Sequence, residues 1–570
     1  MDARGVVPVA TSPRTGWRAA DLVWAGVLVA ALLLPADTTA TWLNATYGAT
    51  HADVIAGVWI LKLSVVTLAV IALLLGRYPV IAARPHEQAG ARTGSWSLII
   101  LVAMIVLALG LRLYRIDTEL WLDEIYLRTR YAPLEFRQLI STYDSQNHQP
   151  LYSILARIAF LAAGASDWSL RIPAVIFGVA SLAAVWVFGR RVTSTSEAAL
   201  GVLLLAVSYH HVWFSQNARG YTMMLFLAVL GTGVFLQLCE GKGRLPTLAW
   251  GYAFLMALAT YTHLTAAFIA VGHALTLVLT TRWTSREGRQ LAMWPMIALG
   301  LSAMITICLY APMLPQVWRD VSKPTMEGVA VEWTSAGWML RDGFRVLSRG
   351  MPGGLVTVLG SLAVLGVGVA SYWRQSRVTT LMMFLPVAVT FALIVAARHN
   401  LWPRFFFFAS GFLVLAALRG GFVLVKRLVR WQPERVAVAG ACGVAFLSLL
   451  TVPRAWQPKQ QFRAAFEFIE QERRPGDEVI ALDVASDVYQ LRGWTSNWRF
   501  TNDLAMLDSA ERSAPRTWIV FTLTARIRAV TPELFQHLSA PRYEVVRVFS
   551  STVGGGEIQI LRHDSATTHD

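Results

Sequence analysis

The stretch that decides the fold is Leu98–Leu113, which reads LIILVAMIVLALGLRL and is followed by Trp121–Tyr126, which reads WLDEIY. The first run is apolar enough to predict a membrane helix. Asp123 and Glu124 then lie where this helix meets water, and a carboxylate there is costly unless it is solvated, paired or used in function. The acidic pair therefore indicates either a reaction centre or a solvated loop start.

The composition of the whole chain excludes a soluble globular protein. Of 570 residues, 55% are hydrophobic and 15% are charged, and the mean hydropathy is +0.49, which indicates a polytopic membrane protein. The formal net charge of +15 comes from cations in short loops between apolar segments, so it predicts membrane orientation and no nucleic-acid partner. Cys239, Cys308 and Cys442 lie in apolar segments and are expected to be packing residues.

About thirteen apolar segments are long enough to cross the hydrocarbon layer as helices. Arg4, Arg14 and Arg18 precede the first segment, and because no clear small-residue cleavage site follows, we expect a retained helix and not a signal peptide. The predicted spans are residues 19–35, 53–76, 97–114, 169–189, 197–213, 221–239, 247–262, 264–281, 291–311, 353–372, 379–396, 404–425 and 436–452.

Lysine and arginine residues in alternate loops predict which loops face the cytoplasm. This rule places the N-terminus and the loops 77–95 and 282–290 on the cytoplasmic side of the plasma membrane. It places the loops 115–149 and 312–352 on the outer side. The cations that mark the cytoplasmic loops are Arg77, Arg84, Arg92, Arg190, Arg191, Lys242, Arg244, Arg282, Arg286, Arg289, Arg374, Arg377, Lys426, Arg427, Arg430 and Arg435.

Three units follow from these patterns. Residues 1–96 form an N-terminal extension with two helices, residues 97–453 form the transmembrane catalytic unit, and residues 454–570 form a soluble α/β domain outside the membrane. The tail 563–570 is expected to be disordered. The elements predicted for the outer domain are a helix at Phe462–Arg473 and strands at Val479–Leu482, Thr517–Phe521, Tyr543–Phe549 and Glu557–Leu561.

Three polar clusters fall on the outer side in this topology: Asp123 with Glu124, His148 between two amides, and Gln216 with Arg219. A carboxylate can accept the proton of an attacking hydroxyl, whereas a guanidinium can hold a phosphate with paired donors. This division of labour describes transfer of a group from a phosphorylated donor.

Other residues on the outer side allow two interpretations each. Tyr152 and Tyr221 could stack on a sugar ring or belong to the interfacial aromatic belt. Arg128, Arg130 and Arg137 lie on the outer side, although the charge rule predicts cations mainly in the cytoplasmic loops. They therefore either bind anions or extend to lipid phosphates.

Four motifs in order carry a resemblance to a known family. They resemble the bacterial branch of the GT-C membrane glycosyltransferases, the superfamily of the protein O-mannosyltransferases and the lipid A aminoarabinose transferase. The resemblance is strong over residues 97–240 and extends more loosely over the later spans, through Trp402–Phe405 and into Phe462–Ala465. The motifs are Leu120–Glu124 (LWLDE), His148–Tyr152 (HQPLY), Leu170–Pro173 (LRIP) and Phe214–Tyr221 (FSQNARGY).

The resemblance implies an inverting transferase that uses a polyprenyl-phosphate sugar as donor. Asp123 matches the catalytic aspartate of the family and Glu124 its neighbour, while His148, Tyr152 and Arg219 match residues of the later motifs. Gln216 and Tyr221 flank Arg219 in the same motif and are assigned to substrate binding with it.

Arg404 opens the twelfth predicted span, where it either holds the donor phosphate or anchors the helix. The loop 312–352 contains several glycines, and it is long enough to order over a bound substrate or to be merely mobile. His210 and His211, at the end of the fifth span, are expected to be interfacial.

Two departures from the family pattern bear on the site. Asn217 stands where the family usually has glutamate, and Gln149 where it usually has proline. Clusters of Asp, Glu and His suit Mg²⁺ or Mn²⁺, but three ligands from separate loops do not make a coordination sphere. No cofactor is therefore assigned, and a divalent cation stays an alternative.

Several functions share this pattern. A transporter or flippase of lipid-linked sugars would also be polytopic and basic, although transporters usually have inverted repeats and polar helices near the bilayer midplane. A surface-glycan polymerase or ligase shares the chemistry and differs in its acceptor. The expected partners are a lipid-linked sugar donor, a glycan, lipid or protein acceptor, and membrane lipids. For Asp123, the alternative is a carboxylate that caps a helix beginning near Glu124.

Overall fold

The structure is a computed structural model of the chain. It describes residues 19–77, 95–322, 331–351, 353–494 and 497–565. The predictions that fall outside these residues concern the cations Arg4, Arg14, Arg18, Arg84 and Arg92 and the last five residues of the tail, 566–570.

Before residue 457, the regular elements of the described residues are helices, which turns and loops connect. Their apolar residues satisfy their backbone groups within each helix, which is what a hydrocarbon environment requires. The helices are α1 (Ala19–Leu33), α2 (Ala36–Leu43), α3 (His51–Arg77), α4 (Ser95–Leu113), α5 (Leu122–Tyr126), α6 (Phe136–Leu139), α7 (Pro150–Ala162), α8 (Ile172–Val192), α9 (Thr195–Ala206), α10 (Tyr209–Ser215), α11 (Tyr221–Cys239), α12 (Leu245–Thr262), α13 (Ala267–Thr280), α14 (Arg286–Tyr310), α15 (Leu314–Ser322), α16 (Ala336–Arg349), α17 (Gly354–Gln375), α18 (Arg377–Ala396), α19 (Ser410–Leu428) and α20 (Pro433–Leu449).

When the helices are judged by length and composition, fewer of them qualify as membrane spans than the sequence pattern predicts. Among the described residues, eight helices qualify, and two bent pairs raise the number to ten. Ile99–Leu113 and Leu264–Thr280 are shorter apolar helices, although both had been predicted to span. All thirteen predicted segments are helical, so a polytopic helical protein is confirmed, whereas the figure of about thirteen spans stays a prediction.

The predicted outer loop 312–352 contains two helices, α15 and α16. Both carry apolar side chains on one face, and Trp318 and Leu340 of these faces are exposed. Amphipathic helices of this kind lie along a membrane surface. This segment had been predicted to be a glycine-bearing loop, and Gly337 and Gly343 interrupt the apolar period of α16.

The membrane helices pack closely where small residues face each other. Gly368 of α17 and Gly420 of α19 lie against each other, and a Cβ atom at either position would overlap the backbone of the opposite helix. Small residues at such contacts allow two membrane helices to approach each other. The helices α8, α11 and α12 contribute many of the buried residues of the bundle.

The C-terminal residues form the predicted soluble α/β domain. Its five-stranded sheet has the order β2-β1-β3-β5-β4, in which the first three strands are parallel and β5 runs antiparallel to both neighbours. The elements are α21 (Phe462–Glu472), β1 (Glu478–Leu482), α22 (Asp483–Arg492), β2 (Arg499–Thr501), α23 (Leu504–Ser513), β3 (Arg516–Thr522), α24 (Thr524–Val530), α25 (Pro532–Leu538), β4 (Tyr543–Phe549) and β5 (Ile558–Asp564).

The predicted helix and four predicted strands of this domain are all present. The short strand β2 and the helices α22 to α25 were not predicted. The tail prediction was wrong for His563 and Asp564, which pair with Thr517 and Arg516 at the end of β5. Backbone hydrogen bonds to β3 order these two polar residues. Their composition alone does not indicate that they are ordered.

Candidate active site

Asp123 lies in the short helix α5, and eight residues separate this helix from the end of α4. Trp121 is the residue before the helix, and its backbone N–H donates to Glu124 Oε2 at 3.3 Å. The Glu124 side chain therefore helps to cap the N-terminus of the helix. Asp123 is the second residue of α5 and does not cap it. The alternative in which Asp123 caps a helix beginning near Glu124 is therefore wrong.

Glu124 points away from solvent and forms a buried ion pair. Arg171, just before α8, donates to its carboxylate from Nε at 2.8 Å and from Nη2 at 2.6 Å, and both side chains are fully buried. The backbone N–H of Ala218 donates to Glu124 at 2.7 Å. Burial alone would raise the pKa of Glu124, but Arg171, Lys459 and this N–H outweigh it and lower that pKa.

Arg171 also holds the segment that precedes α5. Its Nη1 donates to the carbonyl oxygens of Ile116 and Thr118 at 2.7 and 2.8 Å, and its Nη2 donates to that of Glu119 at 3.1 Å. One guanidinium therefore ties the backbone before the helix to the carboxylate within it. Sequence reasoning quoted Arg171 within a motif but assigned it no role.

Asp123 faces two arginine side chains. Arg219 Nε lies 3.9 Å and Arg404 Nη1 lies 3.7 Å from Asp123 Oδ2. The carboxylate side chain is 13% exposed, so solvent reaches it while both cations stay close. In the described part of the chain, the Nε atoms of Arg219 and Arg404 are buried without a hydrogen-bond acceptor. These N–H groups are available to an anionic ligand.

Aromatic side chains fix the position of Arg404. Its guanidinium lies over Trp402 at 4.7 Å and over Trp121 at 5.6 Å, and Tyr221 lies close to it. Stacking on aromatic faces suits the planar guanidinium. The predicted substrate-binding residues Tyr221 and Arg404 are therefore brought together with Asp123.

The second predicted cluster, around His148, holds Arg219 in place. Its Nη1 donates to the carbonyl oxygen of Asn147 at 2.6 Å. His148 is buried and stacks on Tyr131 with ring centroids 4.4 Å apart. Burial lowers the pKa of His148 to about 4, with the Arg219 charge acting in the same direction, so the imidazole is neutral near pH 7.

The remaining predicted residues mainly support the backbone of the site. Tyr152 is buried, and its hydroxyl donates to the carbonyl oxygen of Leu170 at 2.8 Å. The amide of Gln216 donates to the carbonyl oxygens of Arg112 and Tyr114, at the end of α4. Asn217, at the position where the family usually has glutamate, accepts a hydrogen bond from the Trp121 indole at 3.0 Å.

His211 is buried and not interfacial as expected. Arg112 of α4 donates to its Nδ1 at 2.7 Å, and Ser181 lies 2.9 Å from its Nε2. Arg112 is itself fully buried and also donates to the carbonyl oxygens of Ala108 and Ala206. A polar network within an apolar segment has no periodic signal, so sequence reasoning missed it.

The C-terminal domain contacts the catalytic loop directly. Gln460 accepts from the backbone N–H of Leu122, the first residue of α5, at 3.0 Å. The Tyr126 hydroxyl donates to Asp487 at 2.7 Å, and buried Lys459 donates to the carbonyl oxygen of Gln216 at 2.7 Å. Burial lowers the pKa of Lys459 to about 7. Sequence reasoning placed the domain outside the membrane but assigned none of these residues a role.

The three arginines of the outer loop are paired with carboxylates. Arg128 lies 3.4 Å from Asp167, Arg130 lies 3.1 Å from Asp144, and Arg137 lies 2.6 Å from a neighbouring glutamate. Both predicted roles, anion binding and contact with lipid phosphates, would compete with these pairs.

A segment of the loop 312–352 reaches the site through tryptophan contacts. The ring of Trp402 lies 5.0 Å from that of Trp333 and 5.2 Å from that of Trp338. The backbone N–H of Leu401 donates to the carbonyl oxygen of Trp333 at 2.9 Å. The loop is therefore joined to the segment that carries Arg404.

Metal-ligand geometry occurs elsewhere in the described residues. Asp508, Glu511 and His537 of the C-terminal domain place one ligand atom each within 4.8 Å of one another. Arg542 approaches the same group, with Nη2 3.8 Å from Glu511. At the candidate active site, Glu124 is directed at Arg171 and not at Asp123, so the two carboxylates do not converge.

Comparisons with known proteins agree with the motifs. Residues 147–310 match the family model of the dolichyl-phosphate-mannose-protein mannosyltransferases. No curated protein sequence matches the chain. ArnT from Cupriavidus metallidurans, solved with bound undecaprenyl phosphate, is similar with 12% identity and a TM-score of 0.50 over 84% of this chain and 99% of ArnT.

The archaeal oligosaccharyltransferase AglB from Archaeoglobus fulgidus, solved with an inhibitory peptide and a dolichol-phosphate, is similar with 11% identity and a TM-score of 0.50. The similarity covers 81% of this chain and 74% of AglB. At these identities, the likeness establishes the fold alone. The chain therefore has the GT-C fold that ArnT and AglB share.

Proposed function

We propose that the protein is an inverting glycosyltransferase that moves a sugar from a polyprenyl-phosphate donor to an acceptor hydroxyl on the outer face of the membrane. The observation that carries the proposal is the position of Asp123, whose carboxylate lies 3.9 and 3.7 Å from two arginines that both have an N–H without an acceptor. A base and a phosphate-binding pair thus meet at one place.

Each residue has a separate task in the proposed reaction. The acceptor hydroxyl gives its proton to Asp123, and its oxygen attacks the anomeric carbon of the sugar. The bond from that carbon to the phosphate oxygen breaks, and the electron pair leaves with the polyprenyl phosphate. Arg219 and Arg404 stabilise the negative charge of the leaving phosphate. Attack opposite the leaving group inverts the anomeric configuration.

Glu124 takes a positioning role in this proposal. Its carboxylate accepts hydrogen bonds from Arg171 and Ala218 in a fully buried setting, so it holds α5 against the protein and leaves proton transfer to Asp123. His148 and Tyr152 support the same geometry, since one packs beside Arg219 and the other anchors α7.

Replacing Arg219 or Arg404 by lysine is expected to raise the apparent KM for the lipid-linked donor by about tenfold, which corresponds to one charge-assisted hydrogen bond. Lysine keeps the charge but loses the paired donors that match a phosphate. The measurement is initial rate against the concentration of a synthetic polyprenyl-phosphate sugar.

Arg128→Lys is the matched control. Because Arg128 pairs with Asp167, this substitution is expected to leave the donor KM unchanged. An unchanged donor KM with a raised acceptor KM in the Arg219 and Arg404 variants would assign these arginines to the acceptor.

The sidedness of the site is tested separately. Gln146, in the loop before α7, and Glu287, near the start of α14, are both exposed. In a background without the three native cysteines, a cysteine at position 146 is expected to react with an impermeant thiol reagent on intact cells, and one at 287 only after permeabilisation. The reverse pattern would place Asp123 in the cytoplasm and favour a nucleotide-sugar donor.

A further inference from the structure

A cavity lies where the membrane helices meet the C-terminal domain. We call it the junction cavity. Its volume is about 570 Å³, within the range of small-molecule sites. Four segments enclose it: the start of α10, the end of α16, the linker that follows α20, and the turn after β4. Its lining residues include Tyr209, Arg349, Arg454, Gln461, Ser550 and Thr552.

The charges around the junction cavity are of one sign. Arg349 and Arg454 line it, and no aspartate or glutamate is among its lining residues. Within the described residues, neither guanidinium forms an ion pair with a carboxylate. Most other arginines near the outer loop are paired, as Arg128 and Arg130 are. An arginine pair without a counter-charge favours an anionic ligand.

Backbone contacts hold both arginines in place while leaving donors unused. Arg349 Nη1 donates to the carbonyl oxygen of Thr552 at 2.7 Å, and Arg454 Nη1 donates to that of Arg349 at 3.1 Å. Each guanidinium has five N–H donors. The orientation of the pair is therefore set before a ligand arrives, which lowers the entropy cost of binding.

The cavity lies at the level where membrane spans end. The span Pro433–Trp456 ends beside it, and the Trp456 ring packs on Tyr114 with centroids 4.5 Å apart. Tryptophan and tyrosine at the ends of spans mark the headgroup layer. A ligand from this layer would present a phosphate at the height of Arg349 and Arg454.

We propose that the junction cavity is a phosphate-binding site, separate from the site at Asp123. The ligand chemistry is a phosphate ester, whose oxygens match the guanidinium donors of Arg349 and Arg454. It is supplied either by the headgroup of an anionic lipid or by a soluble phosphate ester. None of the residues around Asp123 lines this cavity.

The test measures lipid binding to the full-length protein in detergent by native mass spectrometry. The probes are phosphatidylglycerol, diacylglycerol, which lacks phosphate, and glycerol phosphate as a soluble competitor. Arg349→Gln/Arg454→Gln is expected to weaken phosphatidylglycerol binding at least tenfold. The matched control is Arg341→Gln, because Arg341 is exposed on the same helix and does not line the cavity.

A second variant covers the case in which the double variant does not fold. Ser550→Glu places a carboxylate at the exposed edge of the cavity and is expected to weaken binding at least tenfold while both arginines remain. Failure of glycerol phosphate to displace the lipid assigns the site to a lipid headgroup, and displacement assigns it to a soluble phosphate ester. Wild-type affinity in Ser550→Glu, or diacylglycerol binding as tight as phosphatidylglycerol binding, would overturn the proposal.

Discussion

Asp123→Asn is expected to reduce sugar transfer at least about a hundredfold, which is the usual contribution of a general base. Asparagine keeps the shape of the side chain and removes the proton acceptor between Arg219 and Arg404. Stability should stay near that of the wild type, because the Asp123 side chain is partly exposed and its carboxylate lies 3.9 and 3.7 Å from the nearest atoms of the two arginines. Initial rates with a synthetic lipid-linked donor and thermal unfolding midpoints measure both effects.

Asp117→Asn is the matched control for this experiment, since Asp117 lies in the same segment and is exposed. It should retain wild-type activity. If Asp123→Asn kept more than about a tenth of the wild-type rate, Asp123 would not be the general base.

Arg171→Met is expected to destabilise the protein by about 3–5 kcal/mol, the usual cost of leaving one partner of a buried ion pair without the other. Glu124 would then keep a buried charge without its two guanidinium bonds. The backbone carbonyl groups of residues 116, 118 and 119 would lose their donors as well. The thermal unfolding midpoint in detergent measures the effect.

The double variant Glu124→Gln/Arg171→Met separates charge from packing. It removes the buried charge, so part of the lost stability should return, whereas activity should stay low because the segment before α5 has lost its anchor. A midpoint for Arg171→Met equal to that of the wild type would contradict the positioning role assigned to this ion pair.

Much of the architecture could be predicted from local patterns. All the predicted spans are helices, and the predicted helix and strands of the C-terminal domain are present, because hydrophobicity and its period are properties of neighbouring residues. The short strand β2 was missed since three residues carry too little pattern. Gly337 and Gly343 obscured the amphipathic period of α16.

The candidate site was predicted as a set of residues but not as a geometry. Asp123, Arg219, Tyr221 and Arg404 do meet, as the motifs implied, while His148 and Tyr152 lie behind them in the protein. The buried partners Arg171 and Lys459 were assigned no role, because a charged residue beside an apolar segment does not reveal which distant group it pairs with.

The sequence by itself determined that the chain is a helical membrane protein with an acidic pair in the segment that follows α4 and an α/β domain at the C-terminus. Only the tertiary structure separated the two carboxylates. Neighbouring residues in an α-helix point about 100° apart, as 3.6 residues per turn require, so Asp123 faces Arg219 and Arg404 while Glu124 faces buried Arg171. Their partners come from distant segments, and packing alone brings those segments together.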